Sequence, residues 1–530
     1  MTVAGAGVGK GVPVTQTTGL LDELIAAPAA PRPVTASQPD AAGRLEKFLA
    51  AASPIEAIVH WLGPEGLKTA RSAQAVLRRL SLDIARLDDL LSRQVNAILH
   101  HPRFQQLEAS WRGLRYLVEQ AEGEEGVKIR VLSASWKDLA RDVERAVEFD
   151  QSQLFRKVYS DEFGMPGGEP FGVLIGDYSI RHRMADDHPI DDMSVLESIA
   201  QVAAASFSPF IAAAHPALLG LESFSQLERP MDLGRIFDQP EYIRWKSFRE
   251  SEDARFVGLA LPRVLMRHPY GDDGSREDGF RFQEEVDGPD ARGYLWGNAA
   301  YAFAGVLIRA FSQAGWLAEI RGVRRGEEGG GLVTGLPVHS FSTDRVGVAL
   351  KGSTDLMVTD IQEKELGELG FLPLCRCPDT EFSAFYGTQS IQKPKVYTEP
   401  VATINARISS MLQYMLCVSR FAHYIKVRTQ YKLGSFAEAR ELEDDLNRWI
   451  NDYAAPDAEA SADVKAKYPL REAQVQVRER PGKPGMYNCV LHLLPHYQLD
   501  TVTASVTLRT ELGSAVGGGG GIAPGSGTAR

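Results

Sequence analysis

The sequence predicts a mixed protein of the α/β or α+β class, and three patterns along the chain indicate it. Between residues 77 and 98, apolar side chains recur every three or four positions, which is typical of amphipathic helices. At 171–180 a continuous apolar run predicts a strand that is buried on both faces. At 502–508 apolar and polar residues alternate, as in an antiparallel strand. We therefore expect a helical N-terminal region, a mixed-sheet core and a C-terminal antiparallel sheet.

Other segments fill in this outline. The Ala-rich stretch 193–214 predicts one long helix, and 402–428 and 436–453 predict two more. The segments 473–480 and 486–494 predict two strands joined by the turn RPGKPG, before the third strand at 502–508. A small sheet near a chain end has open edges, which must be covered or must pair with another chain.

A chain of 530 residues is too long for one ordinary core, so two or three structural units are expected. The predicted segments are a flexible arm at 1–53 with a short helix at 19–27, a helical region at 54–150, a central α/β domain at 151–400, C-terminal helices and sheet at 401–512, and a disordered Gly-rich tail at 513–530.

The short helix in the arm presents an apolar face made of Leu20, Leu21, Leu24 and Ile25. Burying these four side chains would gain about 6–12 kcal/mol, and ordering about eight residues would cost about 8–16 kcal/mol. Because the balance is near zero, we expect weak, reversible binding that needs many copies to hold a partner. The alternative is that the helix docks on its own domain.

Composition excludes several classes of protein. The net charge of −11 argues against a protein that wraps nucleic acid, which needs clustered Lys and Arg. The first 19 residues have no apolar core, so they do not form a secretory signal. The apolar stretch 295–317 is interrupted by Asn298 and Arg309, which predicts a buried helix and no membrane insertion. Four cysteines are too few for a disulfide scaffold of this length and indicate a cytoplasmic protein.

No catalytic motif gives a positive case for an enzyme or a cofactor. GAGVGKG at 5–11 lacks the spacing, the Ser or Thr and the preceding strand of a phosphate loop. Cys375 and Cys377 have the wrong spacing for a redox or zinc pair. The cluster ADDHPIDD at 185–192 could bind a hard metal. Its alternative is an exposed loop whose Asp residues cap the next helix.

Several blocks of the sequence are similar to the large subunit of the type VI secretion contractile sheath, the TssC/VipB family. The most specific block is EFSAFYGTQSIQKPKVY at 381–397. Further matching blocks occur at 109–119, 171–178, 251–271, 294–311, 335–341, 406–427, 433–453 and 489–508. The resemblance covers about residues 55 to 512, which is most of the chain.

The resemblance implies a structural protein that performs no covalent chemistry. Members of the family pair with a small sheath subunit of the TssB/VipA kind, and the pairs stack with further copies in a sixfold helical polymer around a tube of Hcp. The sheath assembles in the cytoplasm on a membrane-anchored baseplate, contracts, and drives the tube and spike into a target cell. A ClpV-type ATPase then disassembles the contracted sheath.

The resemblance also implies roles for particular residues. Leu20, Leu21, Leu24 and Ile25 match the helix that the ATPase recognises. The C-terminal sheet matches one that neighbouring subunits complete, and Val502, Ala504, Val506 and Leu508 are its predicted inter-subunit residues. We also hypothesise that a charged helix approaches the tube through Glu441, Glu443, Asp444 and Arg448. For these charges the alternative is a solvated helix face.

Two other functions compete with this one. The first is the sheath of a related phage-tail-like injection particle, against which the recognition helix argues, because a single-use particle needs no recycling. The second is a metal enzyme that uses the Asp/His cluster, for which loss of a stoichiometric metal in Asp187→Ala would be the test.

Overall fold

The computed structural model describes residues 41–496, apart from short gaps. The gaps are 70–71, 125, 164, 166, 273, 275–278, 287–292, 324–327, 342–348, 378–379, 381, 434–438, 456, 458–459 and 480–486. The predicted helix at 19–27, the predicted strand at 502–508 and the tail therefore lie outside the described residues. The chain forms two compact units, Met1–His423 and Tyr424–Arg530.

Helices open the first unit. They are α1 (Ala41–Leu49), α2 (Pro54–Thr69), α3 (Ala73–Leu99), α4 (Pro102–Gln120) and α5 (Trp136–Arg145). Ser72 caps α3 by accepting a hydrogen bond from the backbone N–H of Ala75. Pro102 occupies the first turn of α4, where its missing N–H costs no helical hydrogen bond. Helix α3 covers the apolar period that the sequence places at 77–98.

Further helices of this unit are α6 (Gln153–Phe155), which continues into a π-helix (Arg156–Phe163), α7 (Asp192–Ser206), α8 (Leu233–Phe237), α9 (Ile243–Glu250), α10 (Ala299–Ala314), α11 (Asp360–Glu368) and α12 (Pro400–Ser409). Helix α10 occupies the apolar stretch at 295–317, and most of its side chains are buried. The prediction of a buried helix there is confirmed. Across the described residues, no helix is both long enough and apolar enough to span a membrane.

A mixed sheet forms the centre of the first unit. The strands are β1 (Leu174–Ile180), β2 (Phe210–Ala214), β3 (Val257–Leu261), β4 (Val264–Leu265), β5 (Trp296–Gly297), β6 (Leu332–Val333), β7 (His339–Phe341), β8 (Ala349–Gly352), β9 (Leu372–Arg376) and β10 (Ser383–Phe385). Six of them form one sheet in the order β1-β2-β3-β9-β10-β6. The first four are parallel, and β10 runs antiparallel to both β9 and β6. The predicted mixed α/β class is confirmed.

The two faces of this sheet belong to two different apolar clusters. Along β2, Phe210 and Ala212 join the cluster that contains α7, whereas Ile211 joins the cluster that contains α10. Because successive side chains of a strand point to opposite faces, both faces of β2 are covered. A parallel strand covered on both faces reads as a continuous apolar run, as FIAAA does here.

Two local predictions in this sheet need correction. The strand predicted at 171–180 is present as β1 from Leu174 onward, but the predicted burial on both faces is wrong, because β1 lies at the sheet edge and several of its side chains are only half-buried. The helix predicted at 193–214 ends at Ser206, after which Phe207 adopts a left-handed conformation with φ 53°. A residue that precedes proline avoids the helical region, so Ser208 before Pro209 favours the break. The alanines that follow form β2.

In the second unit, helices precede a hairpin. Helix α13 (Leu412–Leu433) crosses the boundary between the units, and α14 (Ala439–Asn451) and α15 (Ala462–Lys467) follow it. Strands β11 (Leu470–Glu479) and β12 (Tyr487–Pro495) pair antiparallel, with Val475 opposite Leu491 and Val477 opposite Cys489. The predictions of the first two C-terminal strands are confirmed.

Candidate assembly surfaces

Helix α14 and strand β11 build the framework of the C-terminal surface. Leu442, Leu446 and Ile450 recur every four residues on α14, and all three are buried. Val475 and Val477 of β11 are buried as well, and the helix packs on the strand. This packing fixes α14 against the strand, so the polar residues between the leucines have defined positions.

Polar side chains of α14 occupy the outer edge of β11. The Asn447 Nδ2 atom donates to the backbone oxygen of Val475 at 2.8 Å, and the N–H of Val475 donates to Asn447 Oδ1, also at 2.8 Å. The N–H of Val477 donates to Glu443 Oε2 at 2.8 Å. Near the start of the strand, Leu470 pairs with the chain that follows α14, at residues 453–455. The outer edge of β11 is therefore covered from within the unit.

The outer edge of β12 differs from that of β11. Val475 directs its backbone groups toward Asn447, away from β12, so its opposite residue Leu491 directs its own backbone groups away from β11. The same geometry holds for Cys489 opposite Val477. In the described part of the chain the sheet contains only β11 and β12. We call the outward backbone groups of Cys489 and Leu491 the open edge.

The predicted third strand would supply a partner for such an edge. Its residues Val502, Ala504, Val506 and Leu508 lie outside the described residues, and their inter-subunit role stays a prediction. The same is true of the recognition-helix residues Leu20, Leu21, Leu24 and Ile25.

The charged residues predicted to face a tube divide into two sets. Glu441, Asp444 and Arg448 are exposed, and their spacing of three and four places them along one face of α14. Glu443 instead turns toward β11, where it accepts the hydrogen bond from Val477. The tube-facing role stays a prediction, and three of the four side chains are accessible for it.

A second candidate surface runs along α3. Leu77, Ile84, Leu87 and Leu91 follow the apolar period of this helix, yet they are 64%, 58%, 43% and 45% exposed. Isolated exposed apolar residues are ordinary, but a stripe at helical spacing marks an interaction surface. We call these four residues the α3 stripe.

A buried ion-pair network, which the sequence analysis missed, joins α4 to the acidic loop that follows β4. Arg267 donates through Nε to Glu108 at 2.7 Å and through Nη2 to Glu284 at 3.0 Å. His100 lies 3.3 Å from Glu284. Burial by itself would raise the pKa of Glu284, but the hydrogen bonds from Arg267 and the N–H of Tyr270 lower it overall. No local pattern links these residues, because 159 positions separate Glu108 from Arg267.

In the Asp/His cluster at 185–192, the carboxylates of Asp187 and Asp192 are hydrogen-bonded to other groups of the protein. Arg181 donates to both carboxylate oxygens of Asp187 at 2.9 Å, and this contact lowers the pKa of Asp187. Asp192 accepts the indole N–H of Trp136 at 2.6 Å and the backbone N–H of Arg181 at 2.8 Å. Asp191 precedes α7 without a capping hydrogen bond, so the predicted cap is wrong at this residue. Among the described residues, no group of three or more such side chains is placed to hold a metal ion.

The two neighbouring cysteines are poor nucleophiles in this fold. Cys375 and Cys377 are free thiols and are buried. Burial raises the pKa of both thiols. Because the thiolate is the reactive form, neither side chain is activated for chemistry.

Comparisons with known proteins agree on one family over nearly the whole described chain. A family model for the VipB (EvpB) tail sheath N-terminal domain matches residues 81–392. The model for the tail sheath gpW/gp25-like domain of the same family matches residues 401–512.

A curated relative and a solved structure extend the comparison. The type VI secretion system sheath protein TssC1 of Pseudomonas aeruginosa is 43% identical over 465 residues, which cover 87% of this chain and 91% of that protein. A chain in the cryo-EM structure of the anti-feeding prophage baseplate matches 59% of this chain and 64% of its own length, at 10% identity. Its TM-score is only 0.30, so this likeness carries no argument.

Proposed function

The chain belongs to the VipB family of type VI secretion tail sheath proteins, and we propose that it is the large subunit that polymerises and contracts. In this proposal it pairs with a small sheath subunit, and the pairs stack with sixfold helical symmetry around an Hcp tube. The observation that carries the proposal is the C-terminal sheet: side chains of α14 cover the edge of β11, whereas no described strand pairs with the outward backbone groups of Cys489 and Leu491 on β12.

Strand addition would join the subunits at the open edge. An added strand pairs its backbone with Cys489 and Leu491, and each net hydrogen bond contributes about 0.5–1.5 kcal/mol. Val502 to Leu508, passed to a neighbouring copy, has the alternation that such a strand needs. One contact of this size is weak, but a helical polymer repeats it in every subunit.

The α3 stripe is the surface that we assign to the small subunit. Its apolar residues recur at heptad-like intervals, so a partner helix can pack along the whole stripe. Burying four large apolar side chains would contribute about 6–12 kcal/mol before the costs of association. The exposed Glu441, Asp444 and Arg448 of α14 are assigned to the inner tube.

Contraction requires no covalent chemistry at this chain. Two packings of the same subunits that differ in free energy can store the work until the baseplate triggers the change. The sheath lies in the cytoplasm on a membrane-anchored baseplate and does not enter the membrane. After contraction, a ClpV-type ATPase recognises the helix that contains Leu20, Leu21, Leu24 and Ile25.

Electron microscopy of the full chain co-expressed with its small subunit tests the assembly. Hollow, striated tubules are the expected result. Uniform small particles without polymer, at several salt concentrations, would overturn the sheath assignment.

Leu24→Asp tests the recycling segment separately. A charge on the apolar face of the helix removes the contact with the ATPase, so binding of tubules to a ClpV-type ATPase should fall at least about tenfold. Tubule formation should be unchanged, because assembly uses other surfaces. Asp22→Asn, on the same segment but off the apolar face, is the matched control. Equal ATPase binding by wild type and Leu24→Asp would contradict the assignment.

A further inference from the structure

The edge of β11 is closed by two side chains whose spacing fits the strand. Glu443 and Asn447 are four residues apart on α14, a rise of about 6 Å. Their partners Val477 and Val475 are two residues apart on β11, a rise of about 6.6 Å. Two successive outward positions of the strand therefore meet two successive turns of the helix. Both pairs of partners are joined at 2.8 Å.

Asn447 takes the place of a neighbouring strand. Its carboxamide has the same donor and acceptor as a peptide group, and it uses both on the N–H and the C=O of Val475. Glu443 adds a carboxylate acceptor on Val477, and hydrogen bonds to a charged acceptor are the stronger kind. A strand that approached β11 from this side would have to displace both groups.

We propose that Asn447 and Glu443 determine the direction of assembly, by closing β11 so that a partner strand can join only at β12. The inference rests on the proposed sheath function and adds the residues that make its sheet one-sided. With both edges open, two copies could pair β11 to β11 and form a symmetric dimer that leaves the growing polymer. The two side chains prevent this competing contact.

The packing of α14 does not by itself require these residues. The apolar contact with β11 comes from Leu442, Leu446 and Ile450, which are buried between and beside the two polar positions. Asn447 and Glu443 are only half-buried, and their polar groups form hydrogen bonds with the edge of β11. They therefore bond the backbone groups of β11 that an added strand would otherwise pair with.

Cysteine cross-linking of the full chain detects pairing at β11. Gln474 is exposed on β11 and neighbours Val475. In a Cys489→Ser background the other thiols are buried, so Gln474→Cys reports the approach of a second β11. The expected result is a disulfide-linked dimer that is at least about fivefold more abundant with Glu443→Ala and Asn447→Ala than without them, together with fewer tubules.

Asn451→Ala is the matched control, because Asn451 lies one turn further along α14 and donates only to the backbone oxygen of Asn447. It should leave both the dimer and the tubules at the level of the background. Hydrogen exchange checks the bond directly: the Val475 amide should exchange about fivefold to tenfold faster in Asn447→Ala and stay unchanged in Asn451→Ala.

If the double variant does not fold, Asn447→Asp provides the same test, since it keeps the size of the side chain and loses the donor to Val475. Cross-linked dimer in this variant supports the inference. Normal tubules without cross-linked dimer, in any folded variant of the two residues, would overturn it. Absence of tubules from the wild-type chain would instead overturn the proposed sheath function, so the two failures are distinguishable.

Discussion

The central sheet and the C-terminal sheet differ in how their faces and edges are covered. The central sheet has six strands, and its two faces belong to two apolar clusters of the same unit. The C-terminal sheet has two described strands, of which β11 is covered by α14 and β12 presents the open edge. A two-stranded sheet is marginally stable by itself. The first sheet is thus covered within its own unit, and extension of the second one by a neighbouring copy is the proposal that the predictions below test.

The amino-acid patterns follow this division. Strands β2 and β3 are apolar throughout and buried at every position. Strand β11 alternates, with Val475 and Val477 buried and Gln474 and Arg478 exposed. A strand inside a covered sheet has no solvent face, whereas a hairpin on a helix keeps one. Each prediction below alters one region of the chain, either the C-terminal sheet or a part of the first unit, and leaves the other intact.

The largest effect is expected from Leu491→Pro at the open edge. Proline has no N–H, and the N–H of Leu491 points away from β11, so the substitution removes a donor needed only by an added strand. Because the lost hydrogen bond recurs in every subunit, the number of tubules should fall by more than about tenfold. Leu491→Val, which keeps the N–H, is the control. Unchanged tubules in Leu491→Pro, counted by electron microscopy, would show that β12 is not the joining edge.

Ile84→Asp should separate pairing with the small subunit from strand addition. A buried charge without a partner is costly, so the amount of small subunit that copurifies should fall about tenfold or more. Ala85→Asp places the same charge beside the α3 stripe and should have little effect, since Ala85 is exposed and outside the apolar period. Equal copurification with both variants would remove α3 from the interface.

Glu284→Ala should weaken the first unit without touching the C-terminal sheet. Removing one partner of a buried ion pair typically costs about 3–5 kcal/mol, and Arg267 then keeps Glu108 as its carboxylate partner. Urea unfolding of the full chain measures the loss, and Glu285→Ala, at the exposed neighbour, is the control. If both variants unfold at the same urea concentration, the network contributes nothing to stability.

The pH dependence of this network has a definite sign. The pKa of Glu284 is lowered in the folded chain, so its contribution is present above the usual carboxyl range and is lost as pH falls through the lowered value. On acidification, the free energy of unfolding should therefore fall more for the wild-type chain than for Glu284→Ala, because the variant lacks the carboxylate that becomes protonated.

The smallest effect is expected at His215, beside the end of β2. Burial, and then the charges of Arg181 and Arg263, lower the pKa of His215 from 6.5 to about 4. The unfolded chain therefore binds an extra proton between these values, and the stability present above pH 6.5 declines toward pH 4. His215→Asn keeps an acceptor for the N–H of Ala217. It should flatten the curve of unfolding free energy against pH by at most about 1.4 kcal/mol per pH unit; parallel curves would contradict the shift.

Local pattern was enough to predict the hairpin and the helix α14, because a period of two residues and a period of 3.6 residues can both be recognised in neighbouring residues. It failed at 193–214, where the alanines of α7 and those of β2 look alike and only the covered sheet separates them. The choice between helix and strand there was made by tertiary packing.

The candidate site divides in the same way. The sequence indicated a C-terminal sheet that needs a partner, but it did not indicate which edge is closed. The closed edge depends on the contact of Asn447 with Val475, which are 28 positions apart. A single Asn within a helix forms no sequence pattern from which such a contact could be predicted. The sequence likewise did not indicate the ion-pair network, because the position of Glu284 depends on Arg267, which also binds Glu108 far away in the chain.

Hydrogen exchange of the full chain, before and after assembly with its small subunit, tests the central claim most directly. The Val475 amide, already bonded to Asn447, should be equally protected in both states. The Leu491 amide should exchange freely in the unassembled chain and become protected at least about tenfold in tubules. Protection that appears at β11 and not at β12, or at neither strand, would contradict assembly through the open edge.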